Sequence, residues 1–356
     1  MFIKTWLLQF RVALFTVRAL AYNKANSRAV VFDSAFRPVF WVVDRFVNLL
    51  GPVFVLLVIV LITAVVMIYY TTILPSILEK HIVRIILHLL VAHWLLLNIS
   101  FHYLKSVFTS PGYPPEGDKL PGKPENYLIC RKCSQAKPPR THHCSICKRC
   151  ILKMDHHCPW INNCVGHFNH RYFILFCIYM TLGSLYVAVS SWDLFLEHFF
   201  SPKGKDLSNS KSNVNYHQSK AEIMREKIAN VVVMGGYKNL LEFEHNSSVF
   251  VFMLCSAVTL ALGLLTLWHA KLIADGQTSI ELYINRANQR AFRKKGLVYK
   301  NPYNYGAWDN WRLMLGLVNN RSWMSVLLPS SHHPYGNGLS WPPPPPKTPK
   351  YRILPL

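Results

Sequence analysis

Leu49 to Tyr70 reads LLGPVFVLLVIVLITAVVMIYY, a run without a single charged side chain. A helix rising 1.5 Å per residue needs about 20 such residues to cross ~30 Å of hydrocarbon, so this run is read as a transmembrane helix. Three more windows share its character: 85–104, 172–195 and 249–270. The second carries His88, His93 and Asn98 within it. The expected fold is therefore an all-α polytopic membrane protein with four transmembrane helices.

Charge between the windows sets an expected orientation. Residues 1–48 hold seven Lys/Arg against two acids, 105–171 eleven against four, and 271–356 twelve against three, while 197–248 is nearly balanced at seven against six. Basic loops stay on the cytosolic side, which places both termini and the central loop there and the 71–84 and 197–248 connections in the lumen. The formal net charge of +22 is thereby assigned to topology and to an anionic lipid bilayer, and nucleic acid is excluded as a partner.

The expected organisation is a cytosolic N-terminal region 1–48, a transmembrane hairpin 49–104, a cytosolic cysteine-rich domain 105–171, a second transmembrane hairpin 172–270 with its luminal loop 197–248, and a cytosolic tail 271–356. Lys4, Arg11 and Arg18 break the N-terminal apolar stretch too often for a signal peptide, and their spacing predicts an amphipathic helix on the membrane surface. The Ser-, Asn- and Lys-rich run 201–220 predicts a mobile loop. Asn246-Ser-Ser is a glycosylation sequon abutting the fourth span, and the unmodified state is favoured. Pro342 to Pro346 form a polyproline II segment, either a docking site or a spacer. His88, Asn98 and His102 share one side of the second span and predict interhelical hydrogen bonding. No internal repeat is read along the chain.

Seven of the nine cysteines lie between residues 130 and 164, CRKCSQAKPPRTHHCSICKRCILKMDHHCPWINNC. In a cytosolic loop, disulfides are rare and metal binding is the better expectation. Cys130/Cys133 form one C-x2-C and Cys144/Cys147/Cys150 a C-x2-C-x2-C, with histidines at 142, 143, 156 and 157. Such spacing suits tetrahedral zinc, whose binding would supply most of the folding energy of a loop poor in apolar residues. Two closed sites of the Cys3His type take six cysteines and two histidines. One cysteine is left as candidate nucleophile and a histidine as its base. Spacing alone does not name it: Cys158 and Cys164 both lack a C-x2-C context, and only Cys158 directly follows histidines.

The pattern C-x2-C-x9-H-C-x2-C-x2-C-x4-D-H-H-C-x5-C-x4-N-x3-F runs unbroken from Cys130 to Phe173. It resembles the DHHC family of integral-membrane protein S-acyltransferases, which also carry four spans with this loop between the second and third. The stretches SPGYPPEG, QTSIELYIN, NPYNYGAWDNW and LLPSSHHPYGNGLSW resemble one vertebrate subgroup of that family. The resemblance implies two structural Zn2+ ions, one on Cys130, Cys133, His143 and Cys150, the other on Cys144, Cys147, His157 and Cys164. It implies Cys158 as nucleophile, His156 as base and Asp155 as its orienting group. It also implies transfer of a palmitoyl group from palmitoyl-CoA to membrane-proximal cysteines of protein substrates, in endoplasmic reticulum or Golgi membranes. Lys137 and Arg140 are the candidates for the CoA phosphates, with Arg290, Arg293, Lys294 and Lys295 as a looser set. Two motifs depart from the family: its D-P-G is Ser110-Pro111-Gly112, and its T-T-x-E is Thr278-Ser279-Ile280-Glu281. Asn310 and Asn301-Pro302-Tyr303 are expected structural supports. The rival reading is a catalytically silent zinc-bearing membrane scaffold.

Overall fold

The computed structural model describes residues 2–22, 35–78, 82–115, 127–200 and 220–341. Helices α1 (Phe2–Tyr22) and α2 (Arg37–Ile68) lead into a π-helical turn at Tyr69–Ile73, the short α3 (Leu74–Leu78) and α4 (Ile82–Phe108). Three two-stranded antiparallel ribbons follow: β1 (Leu128–Ile129) with β2 (Ala136–Lys137), β3 (His142–Cys144) with β4 (Arg149–Ile151), and β5 (His156–Cys158) with β6 (Asn163–Val165). Then come α5 (His170–Ser190), α6 (Trp192–Phe200), α7 (Lys220–Ala274), α8 (Ser279–Lys294), α9 (Ala307–Leu315) and α10 (Met324–Leu327).

Four described segments are long and apolar enough to cross a membrane: Pro38–Ile77, Ile82–Phe108, His170–Ser190 and Phe243–Ala274. All four windows read from the sequence fall on them. The third span stops at Ser190 instead of residue 195, because Trp192-Asp193 opens a new helix with an acid in its first turn, where the helix dipole favours it. The expected luminal loop is also more ordered than its polarity suggested. From Lys220 onward it is helix, continuous with the fourth span, in a stretch rich in strong helix formers. Asn246 therefore sits inside a helix, and Ser248 of its sequon donates to the His245 carbonyl at 3.0 Å. Residues 201–219, expected as a mobile loop, and Pro342 to Pro346, expected as polyproline II, lie outside the described residues.

Contacts group the chain into two compact units, Val60–Ile99 with Cys177–Thr266, and Met1–Ile59 with Ser100–Phe176 and Leu267–Leu356. The first packs Tyr69, Ile73, Ile77, Ala188, Val251 and Cys255 into an apolar core. Fully burying an aliphatic side chain there contributes about 1.5–3 kcal/mol. Here His88 behaves as expected of a polar group inside a bundle: its Nδ1 lies 2.5 Å from the Tyr186 hydroxyl, which is 3.1 Å from that of Tyr69. Cys255 is a small buried hydrophobe.

The second unit contains the ribbons, and side-chain amides weld them to a helix end. Asn163 Nδ2 donates to the carbonyls of Ser106, Val107 and Thr109 at 3.2, 3.1 and 3.0 Å. These are terminal carbonyls of α4 that no helical N–H reaches. Asn169 accepts from the Gly166 N–H at 2.8 Å and donates to the Cys164 carbonyl at 2.8 Å, which ties β6 to the start of α5. Gly51 on α2 is required by this docking, since a Cβ there would lie 2.1 Å from Asn162 Oδ1.

Candidate active site

The ribbons bring the metal donors together by register. In β3–β4, His143 pairs opposite Cys150; in β5–β6, His157 pairs opposite Cys164. A C-x2-C turn completes each set, giving Cys130, Cys133, His143 and Cys150 in one cluster and Cys144, Cys147, His157 and Cys164 in the other. In the first, Cys133 Sγ stands 3.4 Å from His143 Nδ1 and 3.4 Å from Cys150 Sγ. In the second, Cys147 Sγ stands 3.4 Å from His157 Nδ1 and 3.5 Å from Cys164 Sγ. Four ligands ~2.3 Å from one centre sit ~3.7 Å apart, so both donor sets fit tetrahedral zinc. The ligand pairing is the one the resemblance implied. Ile151 and Met154 pack with the donors Cys144 and Cys164 in one small buried cluster.

The structure also reveals a repeat that was not read from the sequence. Cys130, Cys144 and Cys158 follow one another at fourteen-residue spacing, as do Cys133, Cys147 and Ile161, and His143, His157 and Arg171. Each donor set takes two cysteines and the closing histidine from one unit and its last cysteine from the next. The third unit opens with Cys158 but offers Ile161 and Arg171 where ligands would stand. Cys158 is thus outside both clusters.

Strand β5 sets what surrounds that cysteine. His156 and Cys158 are two apart in an extended strand, so they share a side while His157 faces the metal cluster. Asp155, only 1% exposed, lies 2.5 Å through Oδ2 from His156 Nδ1. Ser279 donates to the same carboxylate twice, from its backbone N–H at 2.8 Å and its hydroxyl at 3.1 Å. Burial opposes charge on Asp155, yet the His156 hydrogen bond holds its carboxyl well below the usual carboxylate range. Burial likewise opposes a charged His156, but Asp155 and then Cys158 outweigh it and push the imidazolium up to about 10. His269 adds a buried imidazole at 4.0 Å from Asp155, its ring 5.7 Å from that of His156. The sequence reading missed His269, which is hidden in the apolar fourth window; the only signal was a histidine where that span ends.

The other sequence candidates fall into place around this core. Thr278 and Glu281 form a capping box at the start of α8. Glu281 also receives both Nε and Nη2 of Arg140 at 2.6 Å, in a pair only 6% and 7% exposed. The Arg140 guanidinium lies over Tyr303 at 4.5 Å and Trp341 at 4.7 Å. It is committed to the scaffold, whereas Lys137 sits on β2 and the run Arg290, Arg293, Lys294 and Lys295 is exposed around the end of α8. Asn310 supports as expected, donating to the last carbonyl of α7, Ala274, at 2.8 Å. Gly276 (φ +67) passes so close to Tyr303 that a Cβ would lie 2.5 Å from its carbonyl. In the altered Ser110-Pro111-Gly112 motif, the backbone still works: Pro111 and Gly112 carbonyls accept from Phe168 and Leu152 at 3.2 and 3.0 Å.

A free cysteine beside a carboxylate-held imidazole, framed by two Cys3His clusters and membrane-capable helices, describes a membrane acyltransferase of one kind. Residues 123–286 match the family model described as DHHC palmitoyltransferase. The chain belongs to that family and is an integral membrane enzyme of the palmitoyltransferase class. It is 47% identical to palmitoyltransferase ZDHHC16 of Homo sapiens over 346 residues, 95% of this chain and 87% of the relative. It is 42% identical to palmitoyltransferase ZDHHC16B of Danio rerio over 331 residues, covering 91% and 86%. These relatives belong to the subgroup that the tail and loop stretches resembled, palmitoyltransferase sixteen, also called Abl-philin 2.

Proposed function

We propose that this protein transfers a long-chain acyl group, palmitoyl foremost, from acyl-CoA to cysteines of target proteins through an acyl-enzyme on Cys158. One observation carries the reading: eight donors are drawn into two metal clusters, and the cysteine left over adjoins the Asp155–His156 pair. Those eight donors would hold two zinc ions, which would supply shape and no reacting group. Asp155, fixed by Ser279, holds His156 as imidazolium on the side of the strand that Cys158 shares. The thiolate attacks the thioester carbonyl; its C–S bond forms as the bond to CoA breaks, and His156 delivers its proton to the departing CoA thiolate. In the second half, a target thiol returns a proton to His156 and takes the acyl group, which regenerates Cys158. Thioester exchange is nearly isoenergetic, so positioning and activation are what the enzyme contributes.

The site's position suits a lipid substrate. The turn after Cys158 carries Trp160, whose ring packs on Phe54 of α2 at 5.0 Å and whose carbonyl accepts from Tyr103 of α4 at 3.0 Å. Acyl methylenes lying among such helices gain ~0.8 kcal/mol each while CoA stays in water, where Lys137 meets its phosphates and Arg140 shapes the loop from behind. Basic loops support a cytosolic face for this site and both termini, and the subgroup supports endoplasmic reticulum or Golgi membranes. Purified full-length protein given labelled palmitoyl-CoA should acquire a hydroxylamine-sensitive label. An undiminished label in Cys158→Ser would refute the assignment.

A further inference from the structure

Behind the Asp155 loop, a cleft with a cavity of about 60 Å³ is lined by Arg140, Lys153, His167, His170, Arg171 and Trp341, and no Asp or Glu is among its described lining residues. Arg171 and the neutral His170 ring hold N–H donors to spare, whereas His167 spends its N–H on the Gly336 carbonyl. His167 Nδ1, both ring nitrogens of His170 and Arg171 Nη1 are buried without a hydrogen-bond partner, in side chains whose residues are 5%, 2% and 3% exposed. The Lys153 ammonium lies 5.7 Å from the Trp341 ring and makes no ion pair among the described residues. Burial and then the Arg140 charge press its ammonium down to about 7, against the smaller opposing pull of Glu281 and Asp155.

Unpaired buried donors cost free energy unless something accepts from them. The two nearest carboxylates are already engaged, Glu281 by Arg140 and Asp155 by His156 and Ser279. At roughly 10–15 Å³ of cavity space per water, the cavity has room for several waters, enough for one compact oxyanion. Arg171 Nη1, the Lys153 ammonium and the single N–H of His170 line one cleft and can each serve a different oxygen of a tetrahedral anion. We propose that this cleft binds a single phosphate group, as free phosphate or as the phosphomonoester of a lipid headgroup.

The cleft is roofed by residues 330–341, held by the same side chains. Arg171 Nη2 donates to the Ser330 and His332 carbonyls at 2.6 and 3.3 Å, and His167 Nε2 lies 3.1 Å from the Gly336 carbonyl. A bound phosphate therefore ties this strap to the start of α5, whether or not Cys158 carries an acyl group.

The test uses full-length protein in nanodiscs, with retention of two zinc ions per chain as the check on folding. In one arm, discs free of phosphoinositides receive inorganic phosphate, with chloride as control; in the other, discs contain phosphatidylinositol 4-phosphate and no free phosphate. A saturable rise in Tm in the first arm identifies free phosphate as occupant, and a rise confined to the second identifies the lipid headgroup. Lys153→Gln should weaken the effect about tenfold by removing a charge-assisted contact. Should that variant lose zinc, radiolabelled phosphate bound to the wild type, displaced by sulfate and not by chloride, supports the site. No saturable effect in either arm, or wild-type affinity in a folded Lys153→Gln, overturns it.

Discussion

The ribbons β3–β4 and β5–β6 are near copies, THHCSICKRC and DHHCPWINNC, yet one is only a metal clasp. Two differences separate them. Cys144 has Cys147 three residues later and is drawn into a cluster; Cys158 has Ile161 there, fully buried in a 3-10 turn. Thr141 precedes the first pair of histidines, Asp155 the second. Burial, then Lys137, lowers the pKa of His142, whereas Asp155 pushes its counterpart His156 up to about 10. On the proposed reading, reactivity arises from a metal repeat whose third copy has lost its ligand positions at Ile161 and Arg171 and gained the Asp155 carboxylate before it.

The comparison is broken most severely by exchanging the fates of its two cysteines. Cys158→Ser should lower acyl labelling by on the order of 10³-fold or more and leave two zinc ions per chain by elemental analysis. Cys144→Ser should instead lose metal and unfold the loop, because structural zinc supplies ~10–16 kcal/mol of folding energy. Limited alkylation should accordingly modify Cys158 first in the holoprotein and the remaining cysteines of 130–164 only after chelation, as peptide mass mapping would show. Asp155→Asn should keep its zinc and lower the labelling rate about 10²-fold or more, by depriving His156 of its charged partner. Arg140→Lys touches the clasp side alone: losing the bidentate geometry with buried Glu281 should cost about 2 kcal/mol, read as a lower Tm. Ser279→Ala should be mildest, with labelling reduced about tenfold or less, since the backbone N–H still holds Asp155.

The sequence made the spans and donors legible for separate reasons. Uncharged runs of helical length have few other uses, and paired cysteines in a basic loop have fewer. What stayed hidden depended on contacts distant along the chain. Ser279 reaches Asp155 from 124 residues away, and Arg140 meets Glu281 across 141. His269 looked like part of an apolar window, and Lys153 and Arg171 like ordinary contributors to a basic loop. The fourteen-residue repeat was present in the letters but was masked by its own decay, because its third copy keeps Cys158 and loses the ligands after it.

The first turn of α8 holds both ribbons, Asp155 through Ser279 and Arg140 through Glu281. That arrangement imposes an order of events during synthesis. A nascent chain completes its metal loop more than a hundred residues before Ser279 exists, so the nucleophile is built early and its activating pair is steadied late. Premature termination products should then be zinc-loaded but inert, sparing the membrane an unselective acylating thiol. A truncation series in which the label appears only once Ser279 is included, at constant zinc content, would measure that delay.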